Sequence, residues 1–244
     1  MIKVVGDFLY PESAVFREVG KALSFKQDVY LASHLSNLFG EKLVGEVVYN
    51  LEPLYDGCRS FTLGYEEVLR NNIVLDYSAK NVSYLSSLGI EAFHLPYGYH
   101  PYLNRPGHVH KDIDVLLVGS INPRRVEIVE RLRKHFNIVW VQGVYGAALD
   151  TLIARSKVHL NIHYIEDHPL EVVRLNYLLA NGCNVVSERG NEESVNLLYD
   201  PLLWFTDNLE EGVEQALSFK KAPDLIVRLQ HDNSKAQEWL DEKC

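Results

Sequence analysis

Between Lys157 and Glu188 the chain reads KVHLNIHYIEDHPLEVVRLNYLLANGCNVVSE. Its first part alternates, with Val158, Leu160, Ile162 and Tyr164 on one side and His159, Asn161 and His163 on the other. That period of two predicts a strand. An acidic, His-rich loop follows, then a helix with Pro169 in its first turn and Gly182 at its C′ position, then a second buried strand. The polar residues Glu166, Asp167, His168, Glu171 and Arg174 therefore gather where a strand ends and a helix begins. In an open α/β sheet that edge binds ligands.

The rest of the chain repeats this rhythm. Strands are predicted at 2–5, 28–31, 44–49, 73–76 and 92–95, and helices at 13–25, 35–39, 65–70 and 79–88, with Ser13 and Ser78 as N-caps and Gly89 as a stop. Residues 96–111, rich in Pro, Gly and His, break the alternation and read as a linker. It then restarts with strands at 113–118 and 138–141 and helices at 123–135 and 147–155, Asn122 capping the first of these helices with Pro123 at N1. Further segments fall at 192–198, 202–205 and 209–219, and an amphipathic helix at 224–243 with Leu225, Leu229 and Trp239 on its packed stripe. Alternating strands and helices imply parallel sheets covered on both faces. The expected organisation is an N-terminal domain over 1–103, a C-terminal domain over 104–222, and a last helix over 223–244 that packs back on the first domain.

Composition narrows the class. With 244 residues, 47% hydrophobic and 23% charged, the chain is an ordinary globular protein. No apolar run reaches the ~18 residues of a membrane span, and MIKVVGDFLYPE lacks a signal-peptide core. Cys58, Cys183 and Cys244 have no metal-like spacing, and an odd count argues against a disulfide framework, so a cytoplasmic setting is expected. The net charge is −9, with −3 over residues 1–105 and −6 over the remainder, which disfavours a non-specific nucleic-acid binder.

Candidate chemistry lies at the predicted strand ends. In DVLLVGSINPRR, Gly119 and Ser120 let backbone N–H groups approach a phosphate at a helix N-terminus, with Arg124 or Arg125 adding charge. The bland alternative is a βα turn with solvated arginines. In QGVYGAALD, Tyr145 can stack on a base and Val144 can hydrogen-bond its edge through the backbone. Glu171 can accept two ribose hydroxyls, with Arg174 reaching a phosphate or holding Glu171; an intrahelical ion pair is the structural alternative. His159 and His163 lie ~13 Å apart along a strand and cannot share a metal. Asp7, after the first strand, is a candidate general base with His163 as second choice, and Asp76, Tyr77, His94, Tyr97, Tyr99 and His100 are candidates to line a cleft.

Together these parts resemble the GT-B glycosyltransferases. LPYGYHP (95–101) is similar to their central linker, VGSINPRR (118–125) to their diphosphate-holding loop, and ARSKVHLNIHYIED followed by PLEVVRLNYLLANGCNVVSE to the strand and helix of their Glu-x(7)-Glu motif. The texture resembles in particular a poorly characterised spore-maturation-type group from bacteria and phages. The chain departs from the pattern at two points. Tyr177 stands where the usual second glutamate falls, and Arg174 stands eight residues after Glu166.

The resemblance implies two Rossmann-like parallel-sheet domains facing a cleft. It implies metal-independent sugar transfer from a nucleotide-sugar, UDP- or GDP-linked, to an unidentified acceptor hydroxyl. Donor contacts would come from Gly119, Ser120, Arg124, Val144, Tyr145, Glu166, Glu171 and Arg174. Catalysis would fall to Asp7 or His163, and acceptor contacts to Asp76, Tyr77, Tyr97, Tyr99 and His100. The alternatives are a nucleotide- or sugar-binding protein without turnover, and a phage-type enzyme glycosylating modified DNA bases.

Overall fold

The computed structural model describes residues 1–6, 13–55, 63–103, 109–219 and 229–244. It divides into two compact units, residues 1–98 with 231–244, and residues 99–230. Each is built on a parallel five-stranded sheet.

In the first unit β1 (Ile2–Val4), β2 (Val29–Leu31), β3 (Val47–Asn50), β4 (Ile73–Asp76) and β5 (Ala92–His94) lie in chain order across the sheet. The intervening helices are α1 (Ser13–Lys21), α2 (Ser36–Phe39), α3 (Leu63–Arg70) and α4 (Ala79–Ser87). Ser78 caps α4 by accepting from the Asn81 N–H, and Gly89 ends it at φ 71°. All four residues of β3 are buried, as a strand covered on both faces requires.

The second unit contains β6 (Ile113–Val118), α5 (Pro123–Leu132), β7 (Ile138–Val141), α6 (Gly146–Arg155), β8 (Ser156–Asn161), α7 (Val172–Ala180), β9 (Asn184–Ser187), α8 (Glu193–Tyr199), β10 (Trp204–Phe205) and α9 (Leu209–Ser218). The sheet order is β10-β9-β8-β6-β7. Val115, Leu117, Val158, Leu160 and Val186 from the central strands pack with Val129 and Leu132 of α5 and with Leu209, Val213 and Ala216 of α9. His159, facing away from this cluster on β8, is also buried; desolvation pushes its imidazole down to about 3, so it is a neutral core residue.

The structure moves several expected boundaries. The helix expected over 13–25 stops at Lys21, and the strand expected through Tyr164 stops at Asn161. The helix expected from Pro169 starts at Val172: Pro169 and Leu170 are buried outside it, and the Val172 N–H turns back to the Leu170 carbonyl. There Gly190 passes so close that a Cβ on it would lie 2.6 Å from the Leu170 nitrogen. Gly182 does end α7 at φ 65°, with the Cys183 N–H bonded back to Leu178. In the tail the α-helix among the described residues is α10 (Ser234–Lys243), and Leu229 is in 3-10 conformation; Leu225 lies outside the described residues. Gln230 instead bridges Tyr99 in parallel, with the Tyr99 N–H donating to Leu229. α10 packs on the first unit through buried Ala236 and Leu240, the Trp239–Phe93 ring contact and the Lys243–Glu91 ion pair. Among the described residues no helix is long and apolar enough to cross a membrane.

Candidate functional site

At the C-terminal edge of the second sheet, β6, β8 and β9 deliver their last residues beside the N-termini of α5 and α7. Asn161 ends β8 with no exposure, and its side-chain amide joins three elements. It donates to the Glu171 carboxylate (2.7 Å) and to Ser187 Oγ on β9 (2.9 Å), and accepts from Arg174 on α7 (2.8 Å). Glu171 and Arg174 are thus linked through Asn161 rather than by the intrahelical ion pair that their spacing allows.

His163 is 1% exposed. Its Nδ1 lies 3.0 Å from Glu171 and its Nε2 2.9 Å from the Arg189 carbonyl. A carboxylate and a carbonyl both only accept, so both ring nitrogens carry protons and His163 is an imidazolium. Burial alone would lower its pKa; the Glu171 hydrogen bond and charge outweigh that and raise it above the ordinary 6.5. Burial would likewise raise Glu171, but His163, Arg174 and His168 hold it well below the ordinary carboxylate range. His168 stacks on His163 with ring centroids 5.5 Å apart, and burial keeps its pKa low.

Two arginines complete the cluster. Arg124, at the start of α5, grips the Glu188 carboxylate in a bidentate pair and donates to the His163 carbonyl (3.1 Å). Glu188 also accepts from the His163 backbone N–H at 2.8 Å. Arg125 is 3% exposed, and the bonds it makes run to backbone carbonyls, Ile162 (2.6 Å) and Ser120 (2.9 Å). Burial and neighbouring Arg174 lower its pKa to about 10, which still leaves it charged. Gly119, at φ 152°, makes room for it: a Cβ there would stand 2.7 Å from Arg125 Nη1. The Asn122 side chain caps α5 and ties it to the Tyr164 carbonyl.

The edge therefore holds four cationic side chains, Arg124, Arg125, Arg174 and His163, against the carboxylates of Glu171 and Glu188 and the exposed Glu166, which acts on Arg124 through space. Such an excess beside two helix N-termini suits an anion. His163, His168 and Glu171 also bring potential metal-ligand atoms within 4.8 Å of one another. An ion there would have to displace the His163 Nδ1 proton, among three arginines.

The other expected residues fall as follows. Gly119, Ser120, Arg124, Glu171, Arg174 and His163 come together. Glu166 is exposed, and its charge acts on Arg124 through space. Val144 and Tyr145 are half-buried in the turn between β7 and α6, where Gly143 and Gly146 take φ of 70° and 59°. Tyr177 donates its hydroxyl to Asp150 on α6. Asp7 lies outside the described residues. Asp76 is fully buried, its oxygens taken by Asn50 (2.7 Å), Asn81 (3.0 Å) and the Ser78 N–H (2.8 Å), so it organises the first unit's interior. Tyr77, Tyr97 and Tyr99 are buried as well, whereas His100 is partly open and stacks on exposed Tyr102 at 4.9 Å.

Sequence reasoning gave no role to Asn161, Ser187 or Glu188. Their position at the ends of β8 and β9 was the available signal, because strand ends at this edge share one site.

No family model matches the chain. Two proteins of Acanthamoeba polyphaga mimivirus are similar to it, each named only as an uncharacterized protein. L138 is 30% identical over 142 residues, which is 53% of this chain and 15% of that protein. L140 is 27% identical over 118 residues, 42% of this chain and 37% of that protein. The chain spans less than half the length of either relative. Among solved structures, AviGT4, a glycosyltransferase involved in avilamycin A biosynthesis, aligns with a TM-score of 0.48 and 13% identity over 96% of this chain and 77% of its own. A sucrose-phosphate synthase from Thermosynechococcus elongatus aligns with a TM-score of 0.48 and 12% identity over 96% of this chain and 71% of its own.

Proposed function

We propose that the chain is a glycosyltransferase that binds the diphosphate of a nucleotide-sugar at the C-terminal edge of its second sheet. The observation that carries this reading is the cationic excess there, with Arg125 charged, buried and bonded to carbonyls. A buried cation bonded to carbonyls is costly unless an anion joins it. Gly119 leaves the space that the Arg125 guanidinium occupies at the end of β6. Two parallel-sheet units and the sequence motifs of the GT-B group support the same class.

In this reading Arg124, Arg125 and the N-terminus of α5 hold the diphosphate, and their charge stabilises it as it leaves. Glu171, fixed by Asn161 and His163, presents its remaining lone pairs to the ribose. Tyr145 stacks on the base. His163 is a charged, fully engaged side chain, so its role is positioning and electrostatic rather than that of a base. The chemistry named here needs no metal. UDP- or GDP-linked sugars are the expected donors.

A non-catalytic nucleotide-binding protein is the second reading, favoured by Tyr177 and its bond to Asp150. One experiment separates the two. Thermal melting against UDP-, GDP-, dTDP-, ADP- and CMP-sugars identifies the donor by mass action, and release of free nucleoside diphosphate then reports turnover. A melting shift with release, both lost in Glu171→Ala, supports the transferase. A shift without release supports the binding protein, and no shift with any donor removes the site assignment.

A further inference from the structure

The cationic edge of the second unit contains an anion of its own. Glu188 stands directly after β9, and its carboxylate takes both ends of the Arg124 guanidinium. Arg124 does not hold it there alone. The His163 backbone N–H donates to the same carboxylate at 2.8 Å, the Glu188 N–H donates to the Asn161 carbonyl at 3.2 Å, and Ser187 Oγ donates to the Glu188 carbonyl at 2.7 Å. Residues from the ends of β8 and β9 thus fix a negative charge against the first turn of α5. The pair is partly open, with side chains 27% and 19% exposed. A surface ion pair would be free to part; this carboxylate is tied to the backbone on two sides.

Its effect is on the charge that the edge can hold. Arg124, Arg125, Arg174 and His163 stand against Glu171, Glu188 and exposed Glu166, four cations against three carboxylates. One net positive charge remains, and without Glu188 there would be two. The diphosphate of a nucleotide-sugar is a diester with one negative charge on each phosphate. In transfer the bond from the anomeric carbon to the terminal phosphate oxygen breaks, that oxygen keeps the electron pair, and the proton of the acceptor hydroxyl passes to solvent. The terminal phosphate is then a monoester with a second pKa of about 6, so the product is the more negative species at neutral pH. Cations that stabilise the leaving diphosphate also retain it, and product release commonly limits turnover.

We propose that Glu188 is the residue that selects donor over product: an internal anion that offsets Arg124, so that the edge holds the doubly charged diphosphate of a nucleotide-sugar without gripping the more negative nucleoside diphosphate left after transfer. This rests on the donor-site reading above. Arg125, bonded to carbonyls, supplies the charge that is not offset. Asn161 and His163, which fix Glu171 through their side chains, fix Glu188 through their backbones, so the same two residues set both carboxylates.

The test titrates UDP, GDP and the methyl ester of each at its terminal phosphate into the full chain by calorimetry. Parent and ester differ by about one charge at neutral pH, and neither carries a sugar. Wild type, Glu188→Gln and Glu166→Gln are compared, with thermal melting to show that each is folded. In wild type the parent should bind within about threefold of its ester. In Glu188→Gln the parent should gain about tenfold over its ester, whereas Glu166→Gln, which removes an exposed and screened charge, should leave the ratio within about twofold of wild type. A purely structural Glu188 would change parent and ester alike, so a ratio in Glu188→Gln within about twofold of wild type overturns the selection and leaves the donor site standing. An equal shift in Glu166→Gln overturns it too. If Glu188→Gln does not fold, wild type decides: a preference of about tenfold or more for the parent overturns the selection, and near-equal binding supports it. Absence of binding by all four compounds in wild type removes the donor site and the selection with it.

Discussion

Glu171→Gln keeps the shape of a side chain on which Asn161 and His163 converge and removes its charge. Deleting one member of a buried pair costs about 3–5 kcal/mol when the other stays charged. Here His163 can release its proton, so the cost is smaller: about 1.4 kcal/mol for each unit by which its pKa had been raised, plus a charged hydrogen bond of roughly 1.5–3 kcal/mol. A loss of about 2–4 kcal/mol near pH 6 follows from these terms. The sign of the pH dependence is fixed by the two shifts. His163 is raised above its unfolded 6.5, so its contribution is complete below that pH and fades as pH rises through the folded value. Glu171 is lowered from 4.5, so its contribution is complete above that pH and fades as pH falls. The gap between wild type and variant is therefore widest between these limits and narrows towards pH 9. Urea unfolding near pH 6 and near pH 9, read from Trp140 and Trp204 in the second unit, measures it. Nitrogen-15 NMR of labelled histidine should show His163 doubly protonated in wild type at neutral pH and neutral in the variant. An equal gap at both pH values, or a neutral His163 in wild type, refutes the reasoning.

Three further outcomes are expected. Gly190→Ala drives a Cβ to 2.6 Å from the Leu170 backbone nitrogen and 2.9 Å from its Cβ, and should cost about 3 kcal/mol, visible as a lowered Tm. Asn196→Ala removes both side-chain bonds to Gly190, at 2.9 and 2.7 Å, so the strap carrying Glu188 and Arg189 should loosen. Stability should fall by about 2 kcal/mol and nucleotide affinity with it, as melting and calorimetry would record. Asp76→Asn turns an amide donor towards the donors Asn50, Asn81 and the Ser78 N–H. It should destabilise the first unit by about 2–4 kcal/mol, read from Trp239 fluorescence, without altering nucleotide affinity.

Much of the scaffold was legible because its signals are local. β4, β6 and β7 fall where the apolar runs place them, and Ser78 and Asn122 cap their helices through bonds three residues away. The limits appear where long-range packing decides. Pro169 suits a helix start, yet the helix begins at Val172, with Gly190 passing close against Leu170. Leu229 has the spacing of a helical stripe, yet its carbonyl is taken by Tyr99, 130 positions earlier. The candidate site divides the same way. Glu171, Arg174 and His163 stand out at a strand end and a helix start. Asn161 and Glu188 acquire meaning only from bonds across 10 and 25 positions. Arg124 and Arg125 are interchangeable in sequence, and only the fold sends one to Glu188 and the other beneath Gly119.

The central claim is that the edge around Arg125 holds a nucleoside diphosphate. Calorimetric titration of the full chain with UDP and GDP, and with uridine and guanosine, tests it most directly, with Gly119→Ala as the companion variant. The account predicts that one diphosphate binds at least tenfold more tightly than its nucleoside. It also predicts that the advantage shrinks with salt and is lost when a Cβ at position 119 displaces Arg125. Equal affinity for nucleoside and diphosphate, or a diphosphate advantage untouched by Gly119→Ala, would contradict it.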